Sequence, residues 1–253
     1  MSLEKAREKS IGMRRPMQIL SAFLMAGVML PVTAPKLWAV PFSQTKIIIE
    51  VNATAGDAGI QISVDGAGWT RLEVFDPNKQ KIFEVSGGGG VGRQGVTELF
   101  FESAEPSFDI QTLHELFARF PEGPYQFKGT TVEGQTLNGK ATLTHAIPDG
   151  PVIVSPEEDV PVDPSMPVLI VWELVTDPFP DTGSEVEIVG YQVIVERVKP
   201  QPLQVFSVNL PATATQVTVS PEFIQANAEY NVEVLAIESG GNQTISERGF
   251  RTH

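Results

Sequence analysis

Carboxylates carry most of the chemical capacity of this sequence. Asp177, Asp181, Glu185 and Glu187 stand within 11 residues, and Glu157 to Asp163 forms a second acidic run. Oxygen ligands suit calcium, which makes these four the candidate calcium ligands. Their spacing matches no EF-hand loop, and Pro178 and Pro180 limit how the chain can wrap an ion. The competing reading is a solvated acidic loop that keeps the protein soluble.

Other chemistry is sparse. The three histidines, His114, His145 and His253, have no metal-ligand spacing between them. With no cysteine in the chain, disulfides, thiolate catalysis and cysteine-ligated zinc are excluded. Gly87, Gly89 and Gly92 formally satisfy G-x-G-x-x-G, but a dinucleotide loop must open a helix that receives the pyrophosphate. Here the apolar Val96 to Phe101 follows and reads as a strand, so the glycine run is expected to be a mobile loop. No Gly-x-Ser-x-Gly elbow and no P-loop occur. No catalytic and no cofactor-binding residue is therefore assigned, although counting carboxylates does not rule out a glycosidase pair.

The chain that must position these groups begins with a segment that is not part of the fold. Lys5, Arg7, Lys9, Arg14 and Arg15 precede the apolar run Ile19 to Leu30 and a small-residue region. That is the layout of a secretory signal helix, cut after Ala39; an uncleaved membrane anchor is the alternative. The formal net charge is −13, and removing residues 1–39 takes away six basic and two acidic side chains, leaving 12 and 29. Such a chain has no means of holding a nucleic-acid backbone. Export without cysteine fits the bacterial periplasm or extracellular space better than a eukaryotic secretory route. Asn52 and Asn242 open glycosylation sequons, read here as incidental.

Period-two alternation dominates the remainder, which predicts a mainly β protein of two tandem β-sandwich domains, 40–149 and 150–253. In the first, strands are expected over 45–52, 60–64, 69–75, 80–85, 96–101, 125–129 and 139–145. Asp76-Pro-Asn-Lys79 is a turn with a mechanism, because Pro77 presets its backbone angle and Asp76 and Asn78 bond their own backbone. One short helix is expected over 109–120, with Asp109 as N-cap and Ile110, Leu113, Phe117 and Phe120 on its apolar face. Ile147-Pro-Asp-Gly-Pro151 resists helix and central strand and marks the boundary. The second domain shows seven short strands, a sandwich count. In its sixth, Tyr230, Val232, Val234 and Ala236 face the core, and Tyr230 is placed to pass its hydroxyl to nearby backbone.

Two resemblances rest on these residues. Phe120-Pro-Glu-Gly-Pro-Tyr-Gln-Phe127 with its following turn is loosely similar to small extracellular sandwich modules of the carboxypeptidase-regulatory type, which implies a sandwich and no activity. Residues 151–253 resemble a fibronectin type III domain, an immunoglobulin-like β-sandwich. The matching positions are Trp172 ending the second strand, Gly190-Tyr-Gln-Val-Ile-Val195 in the third, and Tyr230 to Ile237 in the sixth. The resemblance implies structural roles for Trp172, Tyr191 and Tyr230. The long acidic segment Val175 to Glu187 departs from that pattern, and no Arg-Gly-Asp occurs. The expected function is an exported, non-catalytic binding protein of the bacterial envelope or extracellular space, with a protein or glycan partner. The alternative is a carbohydrate-active enzyme or an accessory subunit of one.

Overall fold

The structure, a computed structural model, describes residues 39–158 and 160–253; the expected signal helix, 1–38 with its cut at Ala39, lies outside the described residues but for that last position. No described helix is long and apolar enough to cross a membrane.

The fold is mainly β. The first half contains β1 (Val40–Pro41), β2 (Gln44–Asn52), β3 (Asp57–Phe75), β4 (Lys81–Ser86), α1 (Gly89–Gln94), β5 (Val96–Glu102), α2 (Leu113–Arg119), β6 (Gly123–Thr131) and β7 (Thr136–Leu143). The second half contains β8 (Ile153–Ser155), β9 (Val168–Trp172), β10 (Ile188–Lys199), β11 (Gln204–Pro211), β12 (Gln216–Val219), β13 (Glu229–Glu238) and β14 (Gln243–Arg251).

Three local expectations are corrected. Segments 60–64 and 69–75 are one strand, β3, which changes partners along its length. Its first part pairs with β2 and β5, and its second part with β4 and β6. The register breaks between Asp65 and Trp69, where Gly66 and Gly68 let the chain bend. The glycine run is not a loop throughout, since it holds the short helix α1. A Cβ at Gly92 would meet the Gly87 carbonyl oxygen at 2.5 Å, so the run is folded back on itself too closely for a side chain. Finally, α2 starts later than expected. Thr112, not Asp109, is its N-cap, and Thr112 and Glu115 form a reciprocal capping box. Ile110 therefore lies outside the helix and is 77% exposed, while Leu116 is the buried residue of α2.

The second half is three strands packed on four. β12, β9 and β8 form one sheet, and β14, β13, β10 and β11 lie side by side in the other. This is the two-sheet sandwich expected of residues 151–253. Alternate side chains of β13 enter its core, with Tyr230, Val232, Val234 and Ala236 all buried. Trp172 lies between the sheets, 5.5 Å from the Tyr191 ring. The Tyr230 hydroxyl accepts the Gln225 N–H at 2.7 Å and points at the Phe223 carbonyl. That satisfies the polar end of a buried ring with backbone a few residues upstream. The first half repeats the device: buried Tyr125 donates to the Pro121 carbonyl at 3.0 Å.

Each half has its own apolar core, one around Trp69, Tyr125 and Phe127 and the other around Trp172, Tyr191 and Tyr230. The cores are separate, yet the backbone sheet runs through. β14 pairs in parallel with β2 over Gln243–Glu50, Thr244–Val51 and Ile245–Asn52, which joins the larger sheets into one of 11 strands.

Candidate functional site

The seam between β2 and β14 is where the structure concentrates polar chemistry. On β2 the residues Ile47, Ile49 and Val51 enter the first core, so Lys46, Ile48 and Glu50 face the other way. On an open sheet that face would be wet. Here Glu50 is only 7% exposed, because β14 lies alongside it and Gln243 donates from its side-chain amide to the Glu50 carboxylate. The turn between β13 and β14 covers the same face. Asn242, 1% exposed, accepts the Ile49 N–H at 2.9 Å. Its amide nitrogen donates to the Thr144 carbonyl and hydroxyl, each at 3.0 Å, and to the Ala146 carbonyl at 2.9 Å. Thr244 donates to the Pro148 carbonyl at 2.5 Å. Further along, the Asn52 amide donates to Glu247 at 2.5 Å, and the Glu247 N–H donates to the Thr54 hydroxyl at 2.8 Å.

Strand registers carry this face across both halves. Glu102 on β5 stands opposite Gln61 on β3; Gln243 on β14 stands opposite Glu50 on β2; Glu247 on β14 stands opposite Glu233 on β13. Beyond β13, Glu196 on β10 stands opposite Asn231. Glu105 follows β5 and lies over the backbone of Gly59, whose Cβ would meet the Glu105 Cγ at 2.8 Å. Ser103 holds that segment in place, accepting the Ile60 N–H and donating its own N–H to the Ile60 carbonyl.

The carboxylates of Glu50, Glu102 and Glu105 converge, with oxygens within 4.8 Å of one another. Like charges at this separation repel unless protons neutralise them. Burial pushes the Glu105 carboxyl up to about 7, with Glu102, Glu50 and Asp57 adding repulsion. Burial also raises Glu50, opposed by its bond to Gln243 and reinforced by Glu102. Asp57 is raised by burial and by Glu247. In the other half, Glu233 is raised to about 7 by burial and by Glu196, Glu247 and Glu50. Lys46, the cation nearest to Glu50 in this set, is itself lowered by burial, partly offset by Glu50. Among the described residues none of these carboxylates forms an ion pair.

The residues singled out from sequence sit elsewhere. Asp177, Asp181, Glu185 and Glu187 are all exposed, and among the described residues they do not converge into a three-carboxylate group. Their loop is not wholly solvated, however. Phe179 packs on the first core, its N–H donates to the Ile147 carbonyl at 2.8 Å, and the Asp177 carbonyl accepts the Asp149 N–H at 3.0 Å. The acidic insertion thus ties the second sandwich to the boundary segment. His114 is exposed at the edge of α2, and the His145 ring stacks on Phe117 at 4.0 Å with its Nε2 2.8 Å from the Phe120 carbonyl oxygen. Trp69 is 1% exposed, inside the first core. Sequence reasoning missed the seam. The signal that existed was Asn242 itself, a polar residue after two glycines that serves as a buried junction rather than a glycan acceptor.

No family model matches the chain, and no curated protein matches it in sequence. Among solved structures, the chain is similar to the FN1–FN3 domains of chicken CNTN1, at 13% identity and a TM-score of 0.32, with 85% of this chain and 65% of that one covered. It is also similar to a myokine structure, at 18% identity and a TM-score of 0.29, covering 42% of this chain and 97% of that one. Similarity at this level says nothing of activity or partner.

Proposed function

We propose that the chain is an exported, non-catalytic binding protein of the bacterial envelope or extracellular space that engages a protein or glycan through its continuous sheet face. The observation that carries this reading is the face itself. It spans both sandwiches through the β2–β14 seam, and it presents Glu102, Glu105, Glu247, Glu233 and Glu196 without ion-pair partners among the described residues. Unpaired carboxylates of one sign favour a partner that supplies hydrogen-bond donors or positive charge. The signal-like leader supports export. The test is capture from envelope and culture-medium fractions by residues 40–253, at low and high salt, beside a Glu196→Gln/Glu247→Gln variant. Retention that falls with salt and is lost in the variant supports the reading; retention unchanged in the variant removes the face from it.

A second reading, a carbohydrate-active enzyme or an accessory subunit of one, is favoured by a separate observation. Glu102 and Glu105 are close, and Glu105 holds its proton up to about 7, as a general acid requires. Phe100, on the same face of β5 as Glu102, is 59% exposed and offers a sugar-stacking ring. A glycoside hydrolase screen with wild type and Glu105→Gln tests it: turnover absent from both discards the enzyme.

A further inference from the structure

An open sheet edge is a pairing site unless shortness, proline or charge guards it. Several edges of this molecule are guarded. β1 is two residues long and ends in Pro41. β4 carries Lys81 and Glu84, and β5 carries Glu98 and Glu102. The Arg248 guanidinium donates to the Val154 and Pro156 carbonyls at 3.4 and 3.1 Å, so it occupies acceptors that β8 would otherwise offer. β11 has none of these guards. It ends the large sheet, pairs along its whole length with β10, and has no described strand on its other side. Residues 200–221, which contain it, hold no charged side chain. We propose that β11 is a self-association edge: two copies of this chain pair β11 to β11, antiparallel, and form a closed dimer with one sheet running through both.

Charge and pattern together select a second copy as the occupant. The formal net charge is −13, so acidic faces of two copies repel. The β11 edge offers no carboxylate to oppose another. Its side chains alternate: Phe206, Val208 and Leu210 pack on the second core but are only partly buried, while Val205, Ser207 and Asn209 are exposed. A two-fold about residue 207 sets Phe206 opposite Val208, and one about residue 208 sets Phe206 opposite Leu210. Either register keeps core-side residues against core-side residues, so the strand complements itself. A second β11 covers the open flank of these three side chains and bonds the backbone groups that β10 leaves free. β12 adds to the same flank. Because β8 lies beside β14, the smaller sheet ends in β12 on the side where the larger ends in β11, and β12 is uncharged too. A two-fold contact uses this edge on both copies, so assembly stops at two. Glu196, Glu233 and Glu247 stand on β10, β13 and β14, inside the sheet, and edge pairing leaves their face uncovered.

The inference goes beyond the binding proposal, and its test needs no other molecule. Analytical ultracentrifugation of residues 40–253, which hold both cores and all the described strands, reads mass against concentration. The expected result is a rise from monomer to twice that mass and no further. Ser207 and Asn209 are exposed, so charge placed there reaches the edge without entering the core. Ser207→Lys/Asn209→Lys and Ser207→Glu/Asn209→Glu are each expected to weaken dimerisation by roughly tenfold or more, because either two-fold sets like charges opposite each other. An equimolar mixture of the two variants is expected to restore the dimer, since opposite charges then face each other. Misfolding does not produce such a rescue. A wild type that stays monomeric up to about 1 mM would overturn the dimer and leave the edge to a strand from another protein. Dimerisation unchanged in both variants, or not restored by mixing them, would overturn β11 as its site.

Discussion

Asn242, in the turn between β13 and β14, accepts the main-chain N–H of Ile49 at 2.9 Å, 193 residues away along the chain. A side chain here completes what a strand would otherwise do. The same amide spends its donors on the Thr144 and Ala146 carbonyls, so one buried residue ties β2, the end of the first sandwich and the second sandwich together.

Asn242→Ala removes these bonds and leaves buried carbonyls and an N–H without partners. The expected loss is about 2–4 kcal/mol in chemical denaturation. Asn242→Asp is expected to be as harmful at neutral pH, because an oxygen replaces the nitrogen that faces two carbonyls.

The two tyrosines report on their own sandwiches. Tyr230→Phe leaves the Gln225 N–H unbonded and Tyr125→Phe leaves the Pro121 carbonyl unbonded, each costing about 1–2 kcal/mol. In a double variant the costs should add, since the residues belong to separate cores. A double-mutant cycle by urea denaturation checks this, and strong coupling would contradict separate cores.

Stability should fall as pH rises. The folded chain holds Glu105 and Glu233 at about 7, above the ordinary 4.5 of the unfolded chain. Between those values the native state binds more protons than the unfolded one, so stability is highest near the lower value and declines through the upper. The melting temperature is expected to be several degrees higher at pH 5 than at pH 8, with the difference reduced in Glu233→Gln. A melting temperature that rises over this interval would reverse the sign and refute the assignment.

Calcium is expected to leave the melting temperature where a chelator leaves it. Asp177, Asp181, Glu185 and Glu187 are exposed, and among the described residues they form no converging group of three carboxylates. A calcium-specific rise that Asp181→Asn abolishes would make the loop a metal site.

The α2 register separates two neighbouring apolar residues. Ile110→Ser should be close to neutral, because Ile110 is outside the helix and exposed. Leu116→Ala should cost about 2–4 kcal/mol, because Leu116 is buried against the first core. Thermal unfolding of the two variants distinguishes this register from a helix beginning at residue 110.

Local pattern by itself determined the strand character of the chain, the Asp76–Lys79 turn, the core face of β13 and the position of Tyr230. Each depends on contacts between near neighbours or on a period of two, which a linear reading contains. In that turn Asp76 does accept the Gln80 N–H, at 2.7 Å, as its side chain predicts. The capping box of Thr112 and Glu115 was equally local and legible, but Asp109 offered a competing cap three residues earlier. The rest was decided by tertiary structure. Two strand-like segments separated by Asp65 to Gly68 look alike whether the chain turns back or bends onward, and only their partners β2, β5, β4 and β6 make them one strand. Parallel pairing of β14 with β2 joins segments about 190 residues apart, and no local preference encodes such a contact. β2, β3 and β5 bring Glu50, Glu102 and Glu105 together, and the β14 pairing is what buries Glu50 among them. Glu50 reads as an ordinary solvent-facing residue on an alternating strand until β14 covers it, and burial, more than any neighbouring charge, is what shifts its proton affinity.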